Sequence, residues 1–442
     1  MRLLIGPGHV ATMGAPGLLP DAGVLVEGER ITAVDRFDVV QAFAPDATWL
    51  DAHGGLIMPG LTNAHTHLYG LLARGFAFPG PAPRSFRQIL EQVWWRLDKA
   101  LTREAVHLCA LYDLAQHLRC GVTAVCDHHA SPNAIPGSLD EIARAATQLG
   151  IRACLSYEVT DRNGLEGARL GIEENLRFIQ KAQGNRLAAK FGLHASFTLS
   201  DETLTACRRA ADELGSQFPG FHIHLAEGPE DPADALLKSG ARTAHRLAAY
   251  GILRPGTFVG HGVCLNAEEI ALLAKTGALL THQPQSNMGN AVGFPRVLHM
   301  RERGVRVALG TDGYTPDMLE TVRAAATLHS HATGAPSAGL AEFADVLLHD
   351  NPVALSELFG VTLGRLEPGA AADLIVADYY PPTPVTTENL PFHVLFGLRS
   401  AHIATVLVGG KVAVKEHQLT ALDEEDLARE VQALARQVWS RI

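Results

Sequence analysis

Eight short apolar runs alternate with helical patterns through the middle of this 442-residue chain. Eight strand–helix units in succession are typical of a (β/α)8 barrel, in which active sites lie at the C-terminal ends of the strands. The sequence therefore predicts an α/β fold, a (β/α)8 TIM barrel over residues 56–360. The strand-like runs are residues 55–64, 121–127, 152–159, 187–193, 220–225, 256–260, 277–281 and 305–310.

Both ends of the chain are predicted to form β structure beside the barrel. Residues 20–35 have a hairpin pattern that turns at 27–29, and residues 372–377 and 405–414 have strand patterns. We expect these two ends of the chain to pair into one small β-sandwich, followed by an amphipathic helix. The predicted segments are residues 1–55 and 361–422 for the sandwich, and 423–442 for the helix.

The composition excludes several classes of partner. The net charge is −10 and no basic cluster occurs, which argues against nucleic acid and anionic membranes as partners. No apolar stretch reaches the roughly 18–20 residues that span a membrane, and the first residues lack a signal-peptide core. The six cysteines contain no Cys-x-x-Cys pair, so we expect reduced and mostly buried thiols. These features predict a cytoplasmic protein.

Histidines and acidic residues follow four of the predicted strands. Side chains alternate faces along a strand, so His65 and His67 point the same way and can clamp one metal ion. Three histidines and one aspartate at one barrel opening can hold a divalent metal and leave a position for water. Such an ion lowers the pKa of water from 15.7 to about 7. The strand-end residues are His65 and His67, then His224 with Glu227, then His261, and finally Asp312.

Several motifs around these positions carry a resemblance to a known family. With the strand-end residues, they resemble the amidohydrolase superfamily in its mononuclear aminohydrolase and chlorohydrolase branch (ATZ/TRZ-like), and within it the SsnA-type aminohydrolases. The resemblance covers nearly the whole chain, including the divided β-sandwich. The motifs are PGLTNAHTH at 59–67, WWRLDKAL at 94–101, DHHASPNAI at 127–135 and QPQSNM at 283–288.

The resemblance implies a role for each strand-end residue. Glu227 would be the proton shuttle, and His261 would polarise the scissile group. Asp312 would accept the proton of the attacking water in addition to binding metal. The metal ligands would be His65, His67, His224 and Asp312.

One divalent metal ion per chain is expected, zinc in the first place and iron as the alternative. Binuclear relatives carry a carbamylated lysine at the end of the fourth strand. That end offers His194 here, whereas Lys190 lies four residues earlier and deeper in the strand. This difference favours one metal over two.

Four residues are candidates for binding the substrate: His194, Asn287, Gln285 and His129. His194 matches a position that contacts substrate in the family. The carboxamides of Asn287 and Gln285 follow the seventh strand and suit the edge of a heterocycle. The alternative is that the side chains of His194, Asn287 and Gln285 only form hydrogen bonds with backbone groups of the loops. Which of His128 and His129 faces the cavity stays open, and His222 is interpreted as a supporting core residue.

The leading hypothesis is a metal-dependent hydrolytic deaminase (aminohydrolase). It would remove ammonia from a nitrogen heterocycle such as a purine or pyrimidine through metal-activated hydroxide. One alternative is a hydrolase that opens a cyclic amide or ureide, and another is a non-catalytic scaffold of the same fold. The expected partners are a small heterocyclic substrate, water and further copies of the chain in a dimer or larger homo-oligomer.

Overall fold

The computed structural model describes residues 2–77, 79–182 and 184–442 of the chain. Its N-terminal part is a group of strands interrupted by one short helix, α1 (Phe37–Phe43). The hairpin predicted at residues 20–35 is present, formed by the second and third of these strands. The strands are β1 (Arg2–Ala11), β2 (Leu18–Glu27), β3 (Arg30–Arg36), β4 (Thr48–Leu50) and β5 (Leu56–Pro59).

Nine parallel strands follow within the described residues, and each of the eight predicted runs overlaps at least one of them. The first run, residues 55–64, was predicted as one strand but is divided at Gly60, because β5 pairs in a different sheet from β6. The fourth run is divided at Lys190 because the backbone changes partner there. The Lys190 amide donates to the carbonyl of Leu155, whereas the next amide, of Phe191, donates to the carbonyl of Gly220. The strands are β6 (Leu61–Thr66), β7 (Val122–His129), β8 (Arg152–Tyr157), β9 (Leu187–Ala189), β10 (Phe191–Ala195), β11 (Phe221–Leu225), β12 (Phe258–His261), β13 (Leu279–His282) and β14 (Arg306–Leu309).

These strands form two parallel sheets, β6-β7-β8-β9 and β10-β11-β12-β13-β14. Where β14 meets β6, the amides of Thr311 and Asp312 donate to the carbonyl of His65 over 2.9 and 3.1 Å. Where β8 continues toward β10, the amide of His194 donates to the carbonyl of Val159 over 2.9 Å. The sheets and their helices fit a TIM barrel, and the parallel strands bring their C-terminal ends to one side.

Helices connect the parallel strands and bury one face against them. Two of these helices begin after a residue whose side chain caps a free amide of the first turn, Thr102 for α4 and Ser200 for α7. The helices are α2 (Phe86–Ile89), α3 (Trp95–Ala100), α4 (Arg103–Arg119), α5 (Ser138–Leu149), α6 (Gly164–Lys181), α7 (Asp201–Leu214), α8 (Glu230–Ser239), α9 (Thr243–Ala249), α10 (Ala267–Thr276), α11 (Pro284–Gly289), α12 (Val297–Glu302), α13 (Met318–Thr333), α14 (Leu340–Asp345), α15 (Asn351–Phe359), α16 (Leu390–Phe392) and α17 (Glu424–Trp439).

A third sheet contains strands from both ends of the chain. Its order is β18-β17-β16-β15-β5-β1-β2-β3, with β4 beside β1, and β15 pairs antiparallel with β5. Ile5 and Val24 from the N-terminal strands share one buried apolar cluster with Leu374 and Leu407 from the C-terminal strands. The C-terminal strands are β15 (Leu374–Ala377), β16 (Ile403–Val408), β17 (Lys411–Lys415) and β18 (Gln418–Leu419).

The last helix packs on the barrel as the amphipathic pattern predicted. Trp439 of α17 donates from Nε1 to the carbonyl of Leu72 over 2.8 Å, and Glu424 accepts from Gln116 over 2.9 Å. All six cysteines are free thiols. Within the described residues, every helix is too short or too polar to cross a membrane.

Candidate active site and metal centre

His67 and His224 present lone pairs to each other across a buried gap. The Nδ1–H of His67 donates to the carbonyl of His128, and the Nδ1–H of His224 donates to the carbonyl of His194. A neutral imidazole that donates from Nδ1 keeps its lone pair on Nε2. The two Nε2 atoms lie 3.2 Å apart. Two imidazoles bound to one tetrahedral ion would place these atoms about 3.3 Å apart.

Asp312 and His65 extend this group of ligand atoms. Asp312 Oδ1 lies 3.3 Å from His67 Nε2. The Nε2 of His65 is buried, and no described residue forms a hydrogen bond with it. His65 Nδ1 contacts His222 Nε2 at 2.8 Å, so His222 supports the ligand ring as the sequence-based interpretation expects. The predicted set therefore fits a divalent metal ion, because it offers imidazole nitrogens and a carboxylate within reach of one another. Asp312 Oδ1 also accepts from the Gly313 amide over 2.8 Å, which orients the carboxylate.

His128 is a further ligand candidate. Both of its ring nitrogens are buried, and no described residue forms a hydrogen bond with either. His129 differs, because its Nε2 contacts Ser131 Oγ at 2.9 Å. The sequence left open which of the two faces the cavity, and among the described residues neither lines it. The nitrogen atoms that lie within 4.8 Å of one another belong to His65, His67, His128 and His224.

Glu227 and His261 lie beside the ligand group. His261 Nε2 is 3.4 Å from Glu227 Oε2 and 3.7 Å from Asp312 Oδ2. The other ring nitrogen of His261 donates to Asn287 Oδ1 over 2.9 Å, which leaves Nε2 as an acceptor. Burial raises the pKa of Glu227 well above its usual value, and the Asp312 carboxylate adds to this effect. Burial also lowers the pKa of His261, so its neutral form is favoured.

Two of these residues have strained backbones. His261 has a φ of 71° and Asp312 a φ of 56°, in the left-handed region that side chains with a Cβ rarely adopt. Ala226, next to Glu227, has a φ of 49°. Such strain is concentrated at functional sites, where the surrounding structure holds it. Each of these residues ends or follows a parallel strand, where the chain turns sharply over the barrel opening.

A cavity opens onto this group. His194, one of the four predicted substrate residues, lines the cavity, and its Nδ1 contacts Thr198 Oγ1 at 2.8 Å. Among the described residues that line the cavity, the other three predicted residues do not occur: Asn287, Gln285 and His129. Asn287 instead contacts His261 from behind.

Glu158 is a site residue that the sequence analysis missed. It lines the cavity, and its Oε1 lies 3.5 Å from His67 Nδ1 and 3.4 Å from His128 Nδ1. Its Oε2 is 3.9 Å from His194 Nε2. The predicted run was extended to residue 159, which placed Glu158 inside a strand. A carboxylate in an apolar run was the signal that could have revealed it.

A further group of polar side chains lines the cavity from the elements that follow β6 and β8. It contains Trp95 and Asp98 on α3 and Arg162 in the turn Asp161–Asn163. The sequence analysis used Trp94 and Trp95 only as part of the WWRLDKAL motif and assigned them no place in the site. Both line the cavity, because the helix that carries them lies over the strand ends.

Comparisons with known proteins agree with this geometry. The 5'-deoxyadenosine deaminase of Methanosarcina mazei is 30% identical over 453 residues, covering 100% of this chain and 99% of the relative. The 5-methylthioadenosine/S-adenosylhomocysteine deaminase of Pelotomaculum thermopropionicum is 31% identical over 449 residues, covering 100% and 99%. An adenosine deaminase structure from Xanthomonas campestris with bound zinc has the same fold, with a TM-score of 0.84 at 24% identity, covering 99% of this chain and 98% of that chain.

The family profile matches most of the chain. It spans residues 56–413, which include every predicted ligand and catalytic residue. Together with the full-length relatives, this match confirms the family that the motifs predicted. The chain belongs to the amidohydrolase family.

Proposed function

We propose that this protein is a metal-dependent hydrolytic deaminase that acts on a nitrogen heterocycle. The observation that carries the proposal is the contact of His261 Nε2 with both Glu227 and Asp312, at 3.4 and 3.7 Å, directly beside the opposed histidines. The site then has a proton donor, Glu227, and a proton acceptor, Asp312, beside the metal ligands. Hydrolysis of a C–N bond requires these groups around one point.

The metal ligands of this proposal are His65, His67, His224 and Asp312. When bound, a divalent ion supplies a water molecule that is acidic enough to react at neutral pH. We propose zinc, because imidazole and carboxylate ligands suit it and because the Xanthomonas structure contains it. One ion is proposed because Lys190 donates to the carbonyl of Gly256 at the far end of its strand, away from these ligands.

The side chains of the site move the protons. His261 Nε2 accepts from the attacking water and orients it, and Asp312 takes the first proton as the water oxygen bonds to the ring carbon. Glu227, whose raised pKa keeps it protonated, donates to the adjacent ring nitrogen. Asp312 then protonates the amino group, the C–N bond breaks and ammonia leaves. The new hydroxyl returns a proton to Glu227 and becomes the carbonyl.

The substrate is proposed to be a small amino-substituted heterocycle such as a purine. Both relatives are named for the deamination of adenosine derivatives, which carry an amino group on a purine. The cavity opens directly onto the ligand group, with His67, His224 and Asp312 in its wall. Aromatic side chains on its wall, including Phe86 and Trp94, suit a planar ring.

The proposal is tested by incubating the metal-loaded protein with a panel of aminated purines and pyrimidines. We expect release of one ammonia per substrate with the ring intact. A new carboxylate without ammonia would indicate the ring-opening alternative instead. Glu227→Gln should retain its metal and lose at least about 10²-fold in turnover, since it removes the shuttle and keeps the size. Glu268→Gln, on an exposed face of α10, is the matched control and should behave as wild type.

We further propose how the sheets are arranged into domains. The contacts between Thr311 and His65 and between His194 and Val159 support closure of the two parallel sheets into one barrel. The barrel was predicted over residues 56–360, and we propose that it begins at β6 instead, because β5 (Leu56–Pro59) pairs with β1 and β15 in the third sheet. The buried cluster shared by the chain ends supports a β-sandwich built from residues 1–55 and 361–422, with 423–442 as the closing helix. The cytoplasmic location and the homo-oligomer stay predictions.

A further inference from the structure

Three neighbouring polar atoms in the cavity wall have no hydrogen-bond partner among the described residues. They are Trp95 Nε1, Asp98 Oδ1 and Arg162 Nη1, all buried from solvent. Burying such groups without partners costs free energy, so native proteins satisfy them with protein, water or ligand. The mechanism proposed above uses none of these three side chains.

We call Trp95, Asp98 and Arg162 the cluster. The other polar atoms of Asp98 and Arg162 form hydrogen bonds with neighbouring side chains. Arg162 Nη2 donates to Asp98 Oδ2 over 3.1 Å, and its Nε donates to Thr160 Oγ1 over 3.2 Å. The guanidinium lies 4.7 Å above the ring of Trp95. The side chains of Asp98 and Arg162 are 1% and 9% exposed, so the three free atoms are fixed in place. The cluster therefore offers two free N–H donors and one free carboxylate acceptor.

The cluster lines the same cavity as the metal ligands, and His194 lies between the cluster and His224. The rings of Trp95 and His194 are 6.3 Å apart, and those of His194 and His224 are 5.4 Å apart. A substrate whose reacting carbon lies at His224 would thus extend its opposite edge toward the cluster.

Resting on the proposed deaminase function, we propose that Trp95, Asp98 and Arg162 bind a ring carbonyl flanked by a ring N–H, on the substrate edge opposite the amino group. A carbonyl oxygen accepts two hydrogen bonds, which satisfies Trp95 and Arg162, and the N–H donates to Asp98. The substrate class is therefore an amino-substituted heterocycle with a lactam or cyclic-urea edge.

The count of donors and acceptors disfavours a carboxylate as the bound group. A carboxylate brings acceptors only, and it would face the Asp98 carboxylate without a donor between them. A planar edge with adjacent carbonyl and N–H satisfies all three atoms at once.

The test compares 8-oxoadenine, adenine and adenosine on the metal-loaded protein. 8-Oxoadenine and adenine carry the same reacting amino group, but only 8-oxoadenine has the carbonyl edge. Adenosine carries a sugar and tests whether the cluster binds that group instead. We expect kcat/KM for 8-oxoadenine to exceed that for adenine by at least about 10²-fold, because a site built for hydrogen bonds rejects an analogue that lacks them. A higher kcat/KM for adenine or adenosine would overturn the inference and leave the deaminase function standing.

Variants assign the selectivity to the cluster. Trp95→Phe keeps an aromatic ring beneath Arg162 but removes the N–H donor, so the selectivity ratio should fall about 10-fold. Arg162→Gln should lower the ratio about 10²-fold, with metal content unchanged. Arg169→Gln, at an exposed position on α6, is the matched control and should keep the wild-type ratio. Unchanged ratios in folded, metal-replete Trp95→Phe and Arg162→Gln would refute the assignment.

Binding measured without turnover separates the two proposals. Calorimetry on metal-loaded Glu227→Gln should show 8-oxoadenine binding at least about 10-fold tighter than adenine, and the difference should disappear when Trp95→Phe is added. Equal binding of the two probes would mean that the cluster holds only water, which overturns the inference. Absence of ammonia from all three compounds, with selective binding retained, would contradict the proposed purine deaminase and support the cluster's role.

Discussion

A buried ion pair connects the terminal sheet to the barrel, and its removal should destabilise the protein strongly. Arg152 begins β8, and Asp373 immediately precedes β15. Arg152 Nε and Nη2 donate to the two carboxylate oxygens of Asp373 over 2.9 Å each. Their side chains are 0% and 2% exposed. Asp373 Oδ1 also accepts from the amide of Gly409 over 2.8 Å.

The expected magnitude follows from this burial. Asp373→Asn keeps the size and an acceptor for Gly409, but it leaves the Arg152 guanidinium buried without a counter-charge. Breaking one partner of a buried pair costs about 3–5 kcal/mol, and we expect the lower end because Asn still accepts one hydrogen bond. In the double variant Arg152→Met/Asp373→Asn no lone charge remains. Its cost should therefore be smaller than the sum of the two single costs by at least about 1 kcal/mol.

Urea unfolding of the metal-replete proteins, followed by tryptophan fluorescence, measures these changes. An exposed pair serves as the comparison: Arg169 and Glu166 are 53% and 68% exposed, so Arg169→Ala should leave the urea midpoint close to that of the wild type. A loss below about 1 kcal/mol for Asp373→Asn, or strict additivity in the double variant, would refute the reasoning.

Four further outcomes are expected. His65→Ala should lose metal and activity together, and metal analysis that finds a full complement would remove His65 from the ligand set. His222→Phe should weaken metal affinity about 10–100-fold, because the 2.8 Å contact that orients His65 is lost; a competition titration with a chelator measures this. His194→Ala should keep its metal and lower kcat/KM by roughly 2–4 kcal/mol, and unchanged kinetics would make His194 structural. Removal of metal by a chelator should lower the melting temperature, and added zinc should restore it, since a ligand that binds the folded state stabilises it; a melting temperature indifferent to both would argue against a buried metal centre.

The strand pattern and the ligand positions could be predicted because they depend on local periodicity. Side chains alternate along a strand, so His65 and His67 share a face wherever the strand lies. Strand ends of a barrel meet at one opening, so His224, His261 and Asp312 could be placed together from their order alone. The division of the fourth strand at Lys190 could not be predicted, because it depends on which neighbouring strands accept its hydrogen bonds.

The cavity wall was predicted less well. Asn287 lies behind His261 and Gln285 is not among the described residues that line the cavity, although both follow the seventh strand. Glu158 lines the cavity, although the sequence analysis predicted strand over the whole run 152–159 that contains it. The direction of each of these side chains depends on packing between segments that are distant in sequence, which periodicity does not encode.

The sequence by itself determined the order of strands and helices, the family and the residues available to bind a metal, since each depends on spacing along one chain. Only the tertiary structure decided how those residues are used. The carbonyls of His128 and His194 set the tautomers of His67 and His224, and Asn287 sets that of His261. The side chains of Asp98 and Arg162 meet only because α3 lies against the turn Asp161–Asn163 that follows β8. Such contacts join residues dozens of positions apart, and their geometry is fixed by packing in three dimensions rather than by local sequence.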